Sequence, residues 1–377
     1  MSDDTLTTGL RPIIKWPGGK EKELKYIIPN LPVFNRYFEP FVGGGAVFTG
    51  IQAEEYFIND LSSELIELYT SIALQRPSFF DAVEKIDCSW VKASRFLDEN
   101  RDIVAIYMRY RDGEISKEQL KAIVTEFCDR RVDAIGNILS IAFNAYTGTL
   151  INELKSNLFR KLSRMRVLEL SKNALPEKDI HENIEAAIKS ALYMTYRYMY
   201  NNVPKNDILH CPLFFFIRNY AYSGMFRYSS KGDFNVPYGG IAYNTKQLSK
   251  KLSYYSSPEL IAHFRRSNIF NLDFETFLEA VNPDENDFVF LDPPYDTEFS
   301  TYAQNDFTKD DQRRLAGYLT NRCRAKWMLI IKNTDFIFNL YNVPGVNIMS
   351  FDKEYLVSFM NRNEKKVEHL IITNYQI

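Results

Sequence analysis

The sequence predicts an α/β fold: a Rossmann-like sheet whose two parts are separated by a long helical segment. Short apolar runs such as Phe288–Leu291, typical of buried strands, occur near both ends of the 377-residue chain. Between about residues 62 and 205, glycine is rare and apolar residues recur with a period near 3.6, which is typical of helices. An aromatic segment with turn residues follows and predicts a β-hairpin. We therefore divide the chain into 1–70 (core), 71–205 (helical insertion), 206–255 (hairpin region) and 256–377 (core).

Composition narrows the class of protein. Hydrophobic residues make up 45% and charged residues 25% of the chain, which are ordinary globular values. The formal net charge of −2 excludes a broadly basic surface, so nucleic acid would have to bind a local patch. The N-terminus lacks the pattern of a signal peptide and no apolar run is long enough to cross a membrane, so we expect a cytoplasmic protein. The cysteines and histidines are dispersed and predict neither disulfides nor a metal site: Cys88, Cys128, Cys211, Cys323, His181, His210, His263, His369.

The first motif is Lys-Trp-Pro-Gly-Gly-Lys at residues 15–20. Pro-Gly-Gly predicts a tight turn that lets the backbone approach a ligand. Lys15 and Lys20 place positive charge on either side, and Trp16 offers a face for stacking. The alternative is a surface turn with a half-buried tryptophan.

A glycine-rich turn comes next, in Glu-Pro-Phe-Val-Gly-Gly-Gly at residues 39–45. A strand precedes the turn, a helix follows it, and a second strand ends at Asp60. This layout is typical of the nucleoside-binding half of a Rossmann-like sheet, in which the acid accepts hydrogen bonds from ribose hydroxyls. Val47 and Phe48 occupy the later positions of the dinucleotide pattern G-x-G-x-x-G, which favours a nucleoside ligand without a pyrophosphate.

The helical insertion contains a basic helix at about residues 151–172. Its positive side chains surround an apolar stripe: Lys155, Arg160, Lys161, Arg164, Arg166, Lys172. They form either a solvated face or a surface that contacts phosphates.

Residues 219–239 combine aromatic rings with basic side chains. Ser-Lys-Gly-Asp at 230–233 suits a hairpin turn. Arg227 and Lys231, interleaved with Tyr222, Tyr228 and Tyr238, predict a surface that contacts phosphates and base edges. The alternative is a core hairpin with stray charges.

The stretch Leu291-Asp292-Pro293-Pro294-Tyr295 ends a buried strand, because proline cannot continue the hydrogen-bond ladder. An acid, a fixed carbonyl and an aromatic ring at the carboxyl end of a strand suit a flat heterocycle that carries an amino group. A plain turn is the alternative. Farther along, residues 327–331 predict another buried strand, and 354–359 with 367–374 predict an antiparallel pair that closes the sheet.

Taken in order, these motifs resemble the Dam-type (alpha-group) DNA adenine-N6 methyltransferases. Phe-Thr at 307–308 and Asn-Glu-Lys-Lys-Val-Glu at 363–368 extend the similarity, whereas much of the helical insertion lies outside it. The resemblance implies a methyltransferase sheet with a reversed last strand, S-adenosylmethionine as methyl donor, double-stranded DNA as substrate and a flipped target adenine. It is compatible with a GATC or related GA-containing recognition site and with a cognate restriction endonuclease. We also expect a bacterial or phage origin and a monomer in solution.

The resemblance also assigns roles to residues. Catalysis is assigned to Asp292, Pro293, Pro294 and Tyr295. Donor binding is assigned to Trp16, Lys20, Phe41, Gly43, Gly45, Asp60, Asp273, Phe274 and Asp292. DNA binding is assigned to Lys15, Tyr222, Arg227, Lys231, Asn235 and Pro237, with Arg227 reading a guanine and Tyr222 wedging into the duplex.

Other functions explain fewer motifs. A methyltransferase that acts on RNA or on protein glutamine would share the sheet but lack the hairpin with Arg227. A catalytically silent DNA-binding module would not need both the donor motif and the target motif. A nicotinamide oxidoreductase explains the glycine turn and Asp60, but not Asp292–Tyr295.

Overall fold

The structure, a computed structural model, describes residues 7–294, 307–354 and 366–377. It divides the chain into two compact units: residues 1–74 with 256–377 (unit 1), and residues 75–255 (unit 2). The segments 71–205 and 206–255, separated in the sequence analysis, thus lie almost entirely in one compact unit. Tyr295 lies outside the described residues, as does nearly all of the strand predicted at 354–359.

Unit 1 is built on a seven-stranded sheet of order β3-β2-β1-β4-β5-β7-β6. Its strands are β1 (Arg36–Glu39), β2 (Glu55–Asn59), β3 (Ser267–Phe270), β4 (Phe288–Leu291), β5 (Lys326–Lys332), β6 (Asn347–Glu354) and β7 (Lys366–Thr373).

Strands β1 to β5 are parallel to one another, and β7 is antiparallel to both of its neighbours, β5 and β6. The reversed last strand is therefore confirmed. The antiparallel pair at the end of the chain is also present, but the prediction was wrong about its first strand, which begins at Asn347 rather than near residue 354. Residues 347–351 are all exposed or half-buried, so the apolar-run criterion did not detect this edge strand.

Successive side chains of a strand point to opposite faces of the sheet, and here both faces carry apolar side chains that helices cover. Tyr37 faces Tyr56 on one side, and Phe38 stacks on Phe57 on the other with ring centroids 4.7 Å apart. The helices of unit 1 are α1 (Leu24–Ile27), α2 (Ala46–Gly50), α3 (Ser63–Ala73), α12 (Pro258–Phe264), α13 (Phe274–Val281), α14 (Lys309–Asn321) and α15 (Asp335–Tyr341).

The apolar runs of the central strands form the core of unit 1. All four residues of β4 are buried, and so are the five central residues of β5. On one face, Val289 and Leu329 belong to a cluster that includes Leu315 and Leu319 of α14. Because both faces of β4 are covered, the residues that follow its carboxyl end are the ones that a ligand could reach.

Unit 2 is mainly helical, as predicted. Its helices are α4 (Pro77–Glu99), α5 (Asp102–Arg111), α6 (Lys117–Asp129), α7 (Val132–Gly136), α8 (Thr147–Ser171), α9 (Glu177–Asn202), α10 (His210–Tyr220) and α11 (Ser249–Tyr255). A capping box begins α6, where Ser116 and Gln119 exchange hydrogen bonds. Trp90 of α4 packs on Tyr220 of α10, with ring centroids 4.4 Å apart.

The predicted β-hairpin forms an antiparallel arch without regular strands. Two isolated bridges, Ala221 with Tyr238 and Tyr228 with Phe234, connect its sides. The turn is closed by a 2.9 Å hydrogen bond from Gly232 N to Ser229 O, and Gly232 takes a φ of 86°. Because Phe226, Phe234 and Val236 are buried, packing holds the arch in place of a continuous ladder.

Within the described ranges, no helix is both long and apolar enough to cross a membrane. Among the same residues, no three histidine, cysteine, aspartate or glutamate side chains cluster in a way that could hold a metal ion.

Candidate active site

Four acidic or aromatic loops follow the carboxyl ends of β1, β2, β3 and β4. These strands are parallel, so their loops meet at one edge of the sheet, which we call the carboxyl-end edge. In the sheet, β2 lies on one side of β1 and β4 lies on the other, so the strand order reverses between β1 and β4. Such a reversal of strand order opens a crevice at the carboxyl-end edge, where open α/β sheets bind ligands.

The glycine turn after β1 requires glycine on steric grounds. Gly43 and Gly45 have φ values of 48° and 74°. A Cβ on Gly43 would lie 3.0 Å from the Trp16 ring, and one on Gly45 would lie 2.3 Å from the Tyr69 hydroxyl. A Cβ on Gly44 would lie 2.5 Å from the Ile14 carbonyl oxygen. Trp16 therefore packs against the glycine turn, and the two predicted donor-binding motifs are adjacent.

Asp60 ties the glycine turn to the end of β2. Its two carboxylate oxygens accept from Gly43 N at 3.0 Å and from Ser62 N at 2.9 Å. Burial raises the pKa of Asp60 to about 6, although both of these backbone hydrogen bonds lower it.

Asn59 joins three of the loops, a role that sequence reasoning did not assign to it. Its Nδ2 donates to Pro40 O and Leu272 O, both at 3.0 Å, and its Oδ1 accepts from Leu272 N at 2.8 Å. A carboxamide suits this position because it offers both donors and an acceptor.

Aromatic rings and a guanidinium form the side of the crevice near β3. The rings of Phe41, Phe274 and Phe307 lie 5.5–5.7 Å apart, centroid to centroid. Asp273 caps α13 and accepts from Arg314 at 2.8 Å, while the Arg314 guanidinium lies 4.9 Å from the centroid of the Phe274 ring. Arg314 was not predicted, because its partners lie about forty positions away in the sequence.

A buried ion pair joins the first motif to the last. The Lys20 ammonium pairs with the Asp292 carboxylate and donates to Gly18 O at 2.9 Å. The Lys20 side chain is 3% exposed and that of Asp292 is 19% exposed. Near them, burial raises the pKa of Glu39 well above its ordinary value, and the Asp292 charge raises it further.

The remaining predicted catalytic residues follow Asp292. Pro293 is buried and Pro294 is exposed. The Pro294 carbonyl accepts from Gln312 Nε2 at 3.0 Å, a contact that the sequence did not reveal. Tyr295 is not among the described residues.

The predicted DNA-binding residues belong to both units. Lys15, in unit 1, is exposed. In unit 2, Arg227, Lys231, Pro237 and Tyr222 are exposed, the last by 49%.

Arg227 is braced by Asn235. Its Nε donates to Asn235 Oδ1 at 2.7 Å, and Asn235 N donates to Arg227 O at 3.0 Å. The placement of Tyr238 on this surface was wrong, because Tyr238 is buried against Trp90 and Tyr193.

Most of the basic side chains on α8 have partners inside unit 2. Lys155 pairs with Asp129, Arg160 donates to Asn157, and Arg166 donates to Arg111 O at 2.8 Å. These contacts favour a structural role for the basic helix over phosphate binding.

The sheet order, the reversed seventh strand and the Asp-Pro-Pro corner at the carboxyl-end edge define a methyltransferase fold. The family of D12 class N6 adenine-specific DNA methyltransferases matches residues 16–357, and the chain belongs to this family. It is therefore a DNA methyltransferase that modifies the N6 of adenine. Membership of a methyltransferase family implies S-adenosylmethionine as the methyl donor.

Similar proteins carry names that agree with this family. The chain is 25% identical to the type II methyltransferase M.CviBI of Paramecium bursaria Chlorella virus NC1A, over 97% of this chain and 100% of that protein. It is 24% identical to the type II methyltransferase M.MjaIII of Methanocaldococcus jannaschii, over 97% and 99% of the two chains. It is also 24% identical to the DNA adenine methylase of Haemophilus influenzae, over 96% and 92%.

Proposed function

We propose that the carboxyl-end edge holds an adenine extruded from duplex DNA beside S-adenosylmethionine, with Asp292 and Pro293 as the acceptors for its amine. The observation that carries this proposal is the position of Asp292, directly after a fully buried strand and at the reversal between β1 and β4. A base inside a duplex cannot reach such a crevice, so it must be flipped out, which costs a few kcal/mol.

The residues of the crevice fit the methyl donor. Asp60, Asp273 and Asp292 supply three carboxylates, which suit ribose hydroxyls and a cationic ligand, and the rings of Phe41 and Phe274 suit its adenine. The residues that would hold the donor are therefore Trp16, Lys20, Phe41, Gly43, Gly45, Asp60, Asp273, Phe274 and Asp292. When bound, S-adenosylmethionine supplies an electrophilic methyl group.

The chain's contribution to the transfer is positioning and electron density. The Asp292 carboxylate and the Pro293 carbonyl each accept a hydrogen bond from the exocyclic amine, which raises electron density on N6 and aligns its lone pair. Tyr295 and Pro294 complete the tetrad, and Tyr295 would stack on the base. Orientation of the reactants can supply on the order of 7–11 kcal/mol of the acceleration.

DNA recognition is proposed for the arch of unit 2. Arg227 would donate to a guanine beside the target within a GATC or related site, supported by its exposure and by the brace from Asn235. Tyr222 would wedge into the duplex, while Lys231, Pro237 and Lys15 would contact the sugar-phosphate backbone of the DNA. Because two relatives are named type II methyltransferases, we also propose a cognate restriction endonuclease as a functional partner.

The test replaces Asp292 with asparagine and measures two quantities on the same preparation. We expect methyl transfer to duplex DNA to fall by about 10²-fold or more, because the acceptor for the reacting amine is weakened. The Kd for the donor should change far less, because the eight other residues proposed to hold the donor are unchanged. Glu279→Gln is the control, since Glu279 forms an exposed pair with Arg322 in the second half of α13. Near wild-type methylation by Asp292→Asn would refute the proposal.

A further inference from the structure

The Asp-Pro-Pro corner has few ways to be anchored to the rest of the chain. Prolines have no backbone N–H, so Pro293 and Pro294 can be held only through their carbonyl groups and by ring packing. If the Pro293 carbonyl must stay available for the amine of the substrate, the Pro294 carbonyl is the remaining point of attachment.

Gln312 supplies that attachment. Its side chain is completely buried, and its Nε2 donates to the Pro294 carbonyl oxygen at 3.0 Å. Its Oε1 is buried and accepts no hydrogen bond from the described residues. A buried amide oxygen without a partner is unfavourable in a core, so the role of this carboxamide that the structure shows is the hydrogen bond that its Nε2 donates to Pro294.

The helix that carries Gln312 is itself fixed. Thr308 and Asp311 form a capping box at the start of α14. One turn later, Arg314 is hydrogen-bonded to Asp273 and Glu275 beyond β3, at 2.8 and 3.0 Å. Gln312 thus lies between the capping box and Arg314, both of which restrain α14. Its side chain can therefore hold the Pro294 carbonyl at a defined position.

We propose that Gln312 is a positioning residue for methyl transfer: its carboxamide fixes the Pro294 carbonyl and thereby aims the Pro293 carbonyl and the Asp292 carboxylate. The two proline rings already fix both φ angles near −65°. β4 fixes the start of the segment, and the hydrogen bond from Gln312 restrains its end. The inference rests on the roles proposed above for Asp292 and Pro293.

The first test is Gln312→Met, which keeps a similar length and shape and removes the donor. We expect kcat to fall about tenfold, while KM for DNA and the Kd for S-adenosylmethionine change less than about twofold, since a small misplacement acts on the reacting geometry. Asn374→Leu is the matched control, because Asn374 also holds a backbone carbonyl in unit 1, that of Ala325 at 2.9 Å before β5. A purely structural role would lower the stability of both variants and leave kcat per donor-binding site unchanged.

A second variant, Gln312→Glu, tests the hydrogen bond directly. A protonated carboxyl group can donate to the Pro294 carbonyl, but a carboxylate can only accept. We therefore expect kcat of Gln312→Glu, divided by that of the wild type at each pH, to rise as the pH falls from about 8.5 to 6, whereas the same ratio for Gln312→Met stays flat.

The outcomes separate the two proposals. Wild-type kcat in Gln312→Met, or a flat ratio in Gln312→Glu, overturns the role of Gln312. If Gln312→Met does not fold, the pH dependence of Gln312→Glu decides alone. An active Asp292→Asn protein refutes the proposed function instead, whatever the Gln312 variants do.

Discussion

Removal of the Asp292 carboxylate should affect stability as well as catalysis, because it is paired with the buried Lys20 ammonium. Loss of one partner leaves a charge in a site built for two, and breaking a buried pair typically destabilises a protein by about 3–5 kcal/mol. The Gly18 carbonyl still accepts from Lys20 at 2.9 Å, so we expect Asp292→Ala to lie near the lower limit, about 3 kcal/mol.

The opposite single variant should be milder. Lys20→Met leaves a carboxylate whose side chain is 19% exposed and partly hydrated, so about 1–2 kcal/mol is expected. In the double variant Lys20→Met/Asp292→Ala neither charge remains. Its stability should therefore exceed that of Asp292→Ala by about 1 kcal/mol or more.

The assay is denaturant unfolding of all four proteins, followed by methyl-transfer measurements on each. The double variant should regain stability without regaining activity, since the acceptor for the amine is still missing. Strict additivity of the two single losses, or an Asp292→Ala protein as stable as the wild type, would show that the ion pair does not form in solution and would refute the reasoning.

Three further predictions concern recognition and pH. Arg227→Ala should lower discrimination at one base pair by about 1–3 kcal/mol, measured on singly substituted duplexes, and unchanged discrimination would contradict its role. The folded-state pKa of Asp60, about 6, lies above its ordinary 3.8, so its stabilising contribution is present below pH 3.8 and lost as the pH rises through 6. The stability of the wild type minus that of Asp60→Asn should thus fall by about 2 kcal/mol between pH 4 and 7 in urea titrations, and a constant difference would argue against it. His263 shows the opposite pH dependence, because burial lowers its pKa to about 4. Its contribution to stability is therefore present above pH 6.5 and lost as the pH falls toward 4. In the same titration, His263→Phe should reduce the loss of stability in acid by up to about 3 kcal/mol.

The sequence anticipated those features that depend on neighbouring residues. Phe288–Leu291 forms a strand because four consecutive apolar residues are buried on both faces, and the two prolines after Asp292 prevent its continuation. The basic helix predicted at 151–172 is Thr147–Ser171, because its apolar period matches the helical repeat. The edge strand that begins at Asn347 was placed too late, because its pattern of partial exposure resembles that of a loop.

The contacts that shape the candidate site join residues far apart in the chain. Asn59 meets Leu272, Arg314 meets Asp273, Gln312 meets Pro294 and Lys20 meets Asp292, across separations from 18 to 272 positions. By itself, the sequence determined the buried central strands, the glycine turn and the identity of the acids, since each follows from local pattern and backbone sterics. Only the tertiary structure decided which side chains hold those acids and carbonyls in place, because the parallel strands bring distant loops to one edge and burial then makes each pairing necessary.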